Sequence, residues 1–315
     1  MAFVFFGTTV EALREFIKGA ARDLGFDLVG ITTPGPNSHA DYVRSWIAAG
    51  RHGGMHYLAR DLEARIDLRR RFPWLRSIVC VAMSYYQAAP SATPRGNIAR
   101  YAWGRDYHRG LQAKLKKLQH ALRQRYAQPF ESRIYVDTGP PLERELAARA
   151  GLGWLGKNTM LIHPRHGSWF VLGELLLSLP LAADTVQLDQ CGTCTRCLQA
   201  CPTAALTAYQ MDATRCISYQ TLENRGDISA ELQEPMRKAG YLIGCDICQT
   251  VCPFNSQPLA AHEPDFACTA PAPRVDLDQV QRWTQEDWDR QTRGRAFRRA
   301  QLLMWRRNAQ VLRRP

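Results

Sequence analysis

The chain has 315 residues, 45% of them hydrophobic and 10% aromatic, enough for one large domain or two ordinary ones. The 41 Lys and Arg residues against 29 Asp and Glu give a net charge of +12, which points to a polyanionic partner such as nucleic acid or an anionic membrane surface. No run approaches the roughly 18–20 apolar residues of a membrane span, and the start, MAFVFFGTTVEALREF, has neither a basic n-region nor a small-residue cleavage site. A cytoplasmic protein is expected, with no membrane contact.

Residues 9–24 carry Val10, Leu13, Phe16, Ile17 and Ala20 at helical spacing, and FDLVGITT after them reads as a strand. SIVCVAMSY, 77–85, has the β-branched content of a buried strand. Residues 107–127 form the next helix, with Leu111, Leu115, Leu118 and Leu122 as its apolar stripe and Lys114, Lys116 and Lys117 facing outward. RIYVDTG is a short strand running into a turn. PPLERELAARAGLG follows as a helix, with proline at its start and glycine just past its end. NTMLIHPRHGSWFVLGELLLS has the pattern of a hairpin of two strands around Pro164–Gly167. This alternation favours an α/β or α+β domain. The character then changes to clustered cysteines, and 257–275 is rich in proline and alanine, a linker or a draped surface segment. Helix returns from about 276. The expected organisation is an α/β (α+β) domain over 1–185, a cysteine module over 186–256, and a linker with a basic helical tail over 257–315.

Ten cysteines in a reducing compartment point to metal binding or catalysis rather than disulfides. CGTCTRCLQACP places Cys191, Cys194, Cys197, Cys201 and Pro202 in the C-x2-C-x2-C-x3-C-P run of bacterial two-cluster ferredoxins, whose fourth cysteine ligates the other cluster. A tight loop wraps three thiolates around one cubane, and the helix that follows carries the fourth toward a neighbour. GCDICQTVCPFN supplies Cys245, Cys248, Cys252 and Pro253, with Leu242 where a full run would begin. By the same rule Cys252 completes the first cluster with Cys191, Cys194 and Cys197. The second holds Cys201, Cys245 and Cys248 and lacks one ligand. Cys216, in DATRCISYQ, is the unassigned cysteine of the module and fills that place. Zinc also takes sites of four cysteines, but the run with its proline fits paired 4Fe–4S cubanes better. Cys80 lies in an apolar strand and reads as packing; Cys268, in the linker, reads as incidental. Clusters move electrons, so a second redox centre or a substrate is expected in the larger domain.

Asp137 closes the strand RIYVD. In α/β sheets ligands bind beyond the carboxyl ends of strands, where a carboxylate is placed for acid–base work. The alternative is a helix N-cap or turn former. A helix N-terminus favours the ionised form, whereas a proton donor needs burial against apolar surface to stay protonated.

The segments YVDTGPPLERELAARAGLGWLGKNTMLIHPRHGSWFVLGELL, CGTCTRCLQACPTAAL, CISYQTLENRG and GCDICQTVCPFN, in that order, resemble the epoxyqueuosine reductases, and the likeness runs from about residue 10 to 310. The resemblance implies a cobalamin-binding α/β domain related to that of reductive dehalogenases, fused to a two-cluster bacterial ferredoxin-like module with a helical C-terminal tail. It implies an oxidoreductase that uses cobalamin fed by two 4Fe–4S clusters, with an external electron donor. The implied reaction is the last step of queuosine biosynthesis, reduction of the epoxide of epoxyqueuosine to the alkene at the tRNA wobble position. Some members carry an added helical-repeat tail, which is not expected here; a monomer is.

Asp137 matches the family's proton donor. Arg65, Ala99, Arg100, Tyr101, Lys157, Asn158, Leu161, His163 and Leu172 match positions near the cofactor. Ser218, Tyr219, Asp246 and Ile247 match positions touching it beside the cluster of Cys201, Cys216, Cys245 and Cys248. From the residues alone, Arg65 also reads as a solvated helix charge, Tyr101 as a core aromatic and Lys157 as a loop residue; for Leu161 and Leu172 the core is the better reading. DYHRG, 106–110, is one residue short of the D-x-H-x-x-G motif of another cobalamin fold and opens a helix, so Asp106 reads as a cap and His108 as an exposed or packing residue.

The stretch 291–315 has eight arginines and no acid, with Phe297, Ala300, Met304 and Val311 as an apolar stripe. A solvated helix face is the usual reading of a charge run; uncompensated arginines together with Trp305 favour phosphate contact. Arg298, Arg299, Arg306 and Arg307 are therefore candidate tRNA contacts, with Arg144, which matches a family position facing the anticodon arm. The modified base must leave its stack to reach a buried cobalt. Two competing readings stand beside this one. A pure iron–sulfur electron-transfer protein would bind no cobalamin, and a reductive dehalogenase-like enzyme for small molecules would have no affinity for tRNA.

Overall fold

The computed structural model describes residues 4–5, 8–88 and 95–313. Four strands form its central sheet: β1 (Leu28–Thr32), β2 (Ser77–Ser84), β3 (Ser132–Tyr135) and β4 (Phe170–Leu177). They lie in the order β1-β2-β4-β3, and every neighbouring pair is antiparallel. Of the two classes left open by the sequence, the domain is α+β. The strand-end rule applied to Asp137 belongs to parallel sheets, so it does not locate the site.

Helices α1 (Val10–Asp23) and α2 (Tyr107–Arg125) cover one face of the sheet. Leu13 and Ile17 of α1, with Leu111, Leu115, Leu118 and Leu122 of α2, meet Val79, Val81, Val171 and Leu175. Helix α3 (Glu143–Arg149) covers the other face and sets Leu146 and Ala147 against Ile78, Cys80, Leu172 and Leu176. Successive residues of β2 thus go to opposite helical layers, which is the period of a strand. Each fully buried aliphatic side chain contributes about 1.5–3 kcal/mol. The layers therefore hold both ends of the β3–turn–α3 unit that carries Asp137. Asp106 caps α2, accepting from the N–H of His108.

The hairpin expected around Pro164–Gly167 is built differently. Leu161–Ile162 pairs with Trp154–Leu155, and β4 pairs with β2 and β3 in the main sheet. The bridge His163–Gly167 spans the turn itself. A Cβ at Gly167 would lie 2.0 Å from Oδ1 of Asn255, so the turn is closed against the end of the cysteine module.

Residues 257–275 are draped over the first domain rather than spanning a gap. The Ser84 hydroxyl donates to Leu259 O, the N–H of Ala261 donates to Tyr86 O, and Phe266 is buried in the core beneath α1 and α2. The tail builds a second core, in which Trp283, Trp288, Phe297, Trp305 and Leu312 close over Ile98, Trp103, Leu242 and Ile243. Trp305 is fully buried and donates its indole N–H to Ala300 O, so it has no face to offer a base. Three of the tail arginines are compensated by acids. Arg298 pairs with Asp289, Arg299 with Glu223 and Arg313 with Asp278, acids that lie outside the stretch and that folding brings to it. Among the described residues, no helix is long and apolar enough to cross a membrane.

Candidate active site

In the cysteine module two short helices, α4 (Arg196–Ala200) and α6 (Ile247–Thr250), lie against each other, with α5 (Ile217–Leu222) following Cys216. All ten cysteines are free thiols. Cys252 lies in electrostatic range of Cys191, Cys197 and Cys194. Cys245 lies in range of Cys216 and Cys248, and Cys248 in range of Cys216, Cys201 and, across the two groups, Cys197. Folding therefore brings the two cysteine runs and Cys216 into one another's electrostatic range. Burial pushes the thiols of Cys216, Cys245, Cys248 and Cys252 up. Held as thiolates, they need a cationic partner, which is the part iron plays. Cys80 is fully buried and Cys268 is exposed.

Lys157 and Asn158 support these loops. Lys157 Nζ donates to Gly192 O and, at 3.0 Å, to Cys194 O, in the loop of the first cysteine run. Asn158, 1% exposed, donates from Nδ2 to Cys248 O at 3.3 Å.

Asp137 lies in the turn between β3 and α3. Asp137 has φ 56, a left-handed backbone uncommon outside glycine. Its N–H donates to Oε1 of Glu143 in the first turn of α3. Arg65 braces the other side of the turn: Nη1 donates to Gly139 O at 2.7 Å and Nη2 to Tyr57 O at 3.0 Å, so it is not a solvated charge. The cap of α3 is Leu142, and Asp137 is not the N-cap.

His108 corrects the sequence reading. Its Nε2 lies 3.1 Å from Oδ2 of Asp137 and its Nδ1 lies 2.6 Å from Oδ1 of Asp106, while its ring stacks on Tyr107 with centroids 4.1 Å apart. It bridges two carboxylates. Burial lowers its pKa, but Asp106 and Asp137 outweigh that and raise it to about 9. In return the bond to His108 holds the Asp137 carboxyl below the usual carboxylate range. The resting pair is imidazolium and carboxylate. The available signal was the D-Y-H spacing, which lets one aspartate cap the helix and face the imidazole two residues on.

A second missed feature lies behind Asp137. Glu174 of β4 is fully buried, neither of its oxygens has a hydrogen-bond partner among the described residues, and it lies in electrostatic range of Glu143. Burial, and then the charge of Asp137, pushes Glu143 up to about 7; burial pushes Glu174 well above the carboxylate range. Burial thus favours the protonated form of both carboxyls. The signal here is a glutamate in the apolar run FVLGELLL.

Several side chains lie in electrostatic range of Asp137. Tyr101, its hydroxyl raised by burial, lies in electrostatic range of Asp137 and Asp246, and also of Arg299 and Glu223. Arg144 is in range of Asp137 and Cys248 and donates to Thr159 O at 2.6 Å. Arg299 reaches the cleft from the tail, 2.7 Å from Glu223 and beside Tyr57. Asp246 is buried and accepts from the Arg100 N–H at 2.9 Å; the guanidinium of Arg100 lies 3.4 Å from it and 4.8 Å from the Trp169 ring. Ser218 and Tyr219 lie in the first turn of α5, where the Tyr219 hydroxyl accepts from the Gly54 N–H at 2.6 Å, and Ile247 opens α6.

The remaining candidates have other surroundings. Ala99 is buried, its N–H donating to Ile243 O at 2.9 Å. Leu161 and Leu172 are core residues under α3. His163 is neutral: burial, then His166 and Arg165, lower it to about 4, and its Nδ1 accepts from the Arg165 N–H at 3.2 Å. Arg306 donates to Trp283 O, and Arg307 to Gln220 O, Asn224 O and Gly226 O. These guanidiniums are engaged by the chain's own carbonyls, which displaces the expectation that they face phosphate.

The family model described as "Epoxyqueuosine reductase QueG, DUF1730" matches residues 65–138, and that of a "4Fe-4S double cluster binding domain" matches 190–255. The chain is 39% identical over 303 residues to an epoxyqueuosine reductase of Xanthomonas campestris, covering 94% of this chain and 84% of that one. It is 42% identical over 279 residues to one from a Synechocystis strain, covering 86% and 94%. Among solved structures, it is similar to an epoxyqueuosine reductase crystallised with an epoxyqueuosine-modified tRNA-Tyr stem loop, with TM-score 0.87 and 30% identity over 96% of this chain and 81% of that one. It is also similar to the Bacillus subtilis epoxyqueuosine reductase with its catalytic aspartate loop swung out of the active site, with TM-score 0.86 and 29% identity over the same shares.

Proposed function

The chain belongs to the epoxyqueuosine reductase family, and from that premise we propose how its own residues carry out the reduction of epoxyqueuosine to queuosine in tRNA. An epoxide becomes an alkene by taking two electrons and two protons, and both protons leave with the oxygen as water. No side chain supplies low-potential electrons, so cofactors must. The eight gathered thiols fit two 4Fe–4S clusters, which when bound supply the electrons one at a time.

Family membership also implies cobalamin, and the chemistry of the residues next to Cys216, Cys245 and Cys248 suits it. A corrin carries a rim of neutral amides that seek hydroxyls and backbone groups. Ser218, Tyr219, Asp246 and Ile247 are chain neighbours of Cys216, Cys245 and Cys248, and Tyr101 is in electrostatic range of both Asp137 and Asp246. These residues would hold it, and when bound it supplies the reducing metal that opens the epoxide C–O bond. Arg100 and Asp246 are paired with each other. Asp137 acts as general acid and passes a proton to the departing oxygen. Arg65 and Glu143 orient its turn from either side, and the swung-out loop of the Bacillus subtilis relative supports reading that turn as able to move. Arg144 and Arg299, both in electrostatic range of Asp137, are assigned to the anticodon arm. An external electron donor, a monomeric state and a cytoplasmic location complete the reading.

The observation that carries it is that Tyr101 lies against Gly244, the residue before Cys245, and in electrostatic range of Asp137, while Arg144 is in range of both Asp137 and Cys248. The test is nucleoside mass spectrometry of epoxyqueuosine-containing tRNA incubated anaerobically with the protein, cobalamin and a reductant. Conversion to queuosine is expected; persisting epoxyqueuosine would remove the reading. Asp137→Asn should abolish turnover and leave the cluster and cobalamin absorption bands intact, and near-normal turnover would end its role as donor.

A further inference from the structure

We propose that His108 is the proton store of this site: it loads Asp137 with each of the two protons that one turnover consumes. The inference rests on the epoxide-reduction reading above. A single carboxyl carries one proton, yet the departing oxygen needs two, one as the ring opens and one as it leaves as water. Asp137 must therefore be reloaded within a turnover.

The geometry selects the group that does this. His108 Nε2 is 3.1 Å from the Asp137 carboxyl, and Nδ1 is anchored 2.6 Å from Asp106, which fixes the ring while Nε2–H faces the acid. The side chain of His108 is 25% exposed, so bulk solvent can recharge it. The other groups facing this pair cannot take its place. Glu143 meets the backbone N–H of Asp137, and Glu174 lies behind Glu143. Tyr101 and Tyr107 are held protonated by burial. Arg109, Arg144 and Arg299 are guanidiniums, which do not release protons at physiological pH. Glu223 and Tyr57 are occupied with Arg299.

In the sequence of steps, the proton on Nε2 moves to Oδ2 of Asp137, leaving neutral imidazole with its Nδ1–H on Asp106. Asp137 passes the proton to the epoxide oxygen as the first C–O bond breaks. A proton from bulk solvent, carried by hydronium or buffer acid, recharges His108, and the same transfer supplies the second proton as the remaining C–O bond breaks and water departs. The electrons come from the reductant the established reaction already requires. The resting imidazolium–carboxylate pair, with His108 near 9, places the transferable proton on the ring at neutral pH.

The test uses holoenzyme and epoxyqueuosine-containing tRNA. In the wild type, kcat should fall as pH rises through about 9, where the ring loses its proton. His108→Gln keeps a hydrogen bond to Asp137 but carries no transferable proton. Its kcat at pH 8 should drop by about 100-fold, with KM, iron content and cobalamin absorption near wild type. Asp106→Asn keeps the helix cap, because Asn caps as well, and should move the alkaline limb down by on the order of one pH unit. Independently of turnover, nitrogen-15 NMR of histidine-labelled protein should show a ring doubly protonated at neutral pH that titrates near 9 and is lost in His108→Gln. A ring titrating in the free-histidine range, or His108→Gln with a wild-type pH profile, would overturn the proposal. Wild-type protein inert on epoxyqueuosine would overturn the reaction reading instead, and the NMR titration would still decide where the proton rests.

Discussion

The backbone N–H of Asp137 is bonded to the side chain of Glu143, and Glu143 in turn faces the fully buried Glu174. The position of a surface-facing acid is thereby tied to a carboxyl pair inside the core. A non-glycine residue at φ 56 carries a backbone cost on the order of 1 kcal/mol, and this bond is one of the contacts that offset it.

The pair makes stability depend on pH in a definite direction. Both carboxyls are raised on folding, Glu143 to about 7. A raised acid contributes stability that is fully present below its unfolded value, 4.5, and is lost as pH rises through the folded value. Wild-type protein should therefore show a lower apparent Tm at pH 8 than at pH 5.5. Glu174→Gln keeps the shape and a donor toward Glu143 but removes one titrating group. It should flatten that dependence by roughly 1–3 kcal/mol between the two pH values. Parallel wild-type and variant curves would show that the pair shares no proton.

The second prediction concerns cluster assembly. Cys216 lies beside Cys201 and Cys245 although it belongs to neither cysteine run. If it is the fourth ligand of the second cluster, Cys216→Ala should lower iron in anaerobically prepared protein from about eight per chain to about half that. The first set, Cys191, Cys194, Cys197 and Cys252, should keep its EPR signal on reduction. Full iron content in the variant would remove Cys216 from the ligand set and reopen the question of what completes it.

What the sequence disclosed and what it hid divide along physical lines. The cysteine runs were legible because their spacing reflects the size of a cubane and the reach of one helical turn, and the double-cluster family model matches the same stretch, 190–255. Helices α1 and α2 were legible because each buries one stripe against a sheet, which leaves a 3.6-residue signature. The antiparallel order of the sheet was not, since β2 and β4 are buried on both faces and lose the alternation that would mark them. His108 was hidden because its partner Asp137 lies 29 residues away and only the packing of α2 beside β3 joins them. The tail misled for a related reason: a run of arginines without a local acid looks uncompensated until folding supplies Asp289, Glu223 and Asp278.

Arg307 gives that last point a measurable form. Its guanidinium donates to Gln220 O, Asn224 O and Gly226 O, and the neighbouring Asn308 donates to Thr221 O at 3.1 Å and Leu242 O at 3.0 Å. The tail thus clamps the segment just after Cys216 to the strand just before Cys245. Arg307→Ala leaves those carbonyls without their donor and should destabilise the protein by about 2–4 kcal/mol, read as a lowered apparent Tm. Arg307→Lys should recover little, because one ammonium cannot span carbonyls arranged for a planar fork. Since the clamp holds two expected ligands of the second cluster, iron retention should fall with it. A phosphate contact would behave in the opposite way: Tm and iron would stay at wild-type levels, while tRNA affinity would weaken and its salt slope would drop by about one. The two roles of this arginine are therefore separable in a single variant.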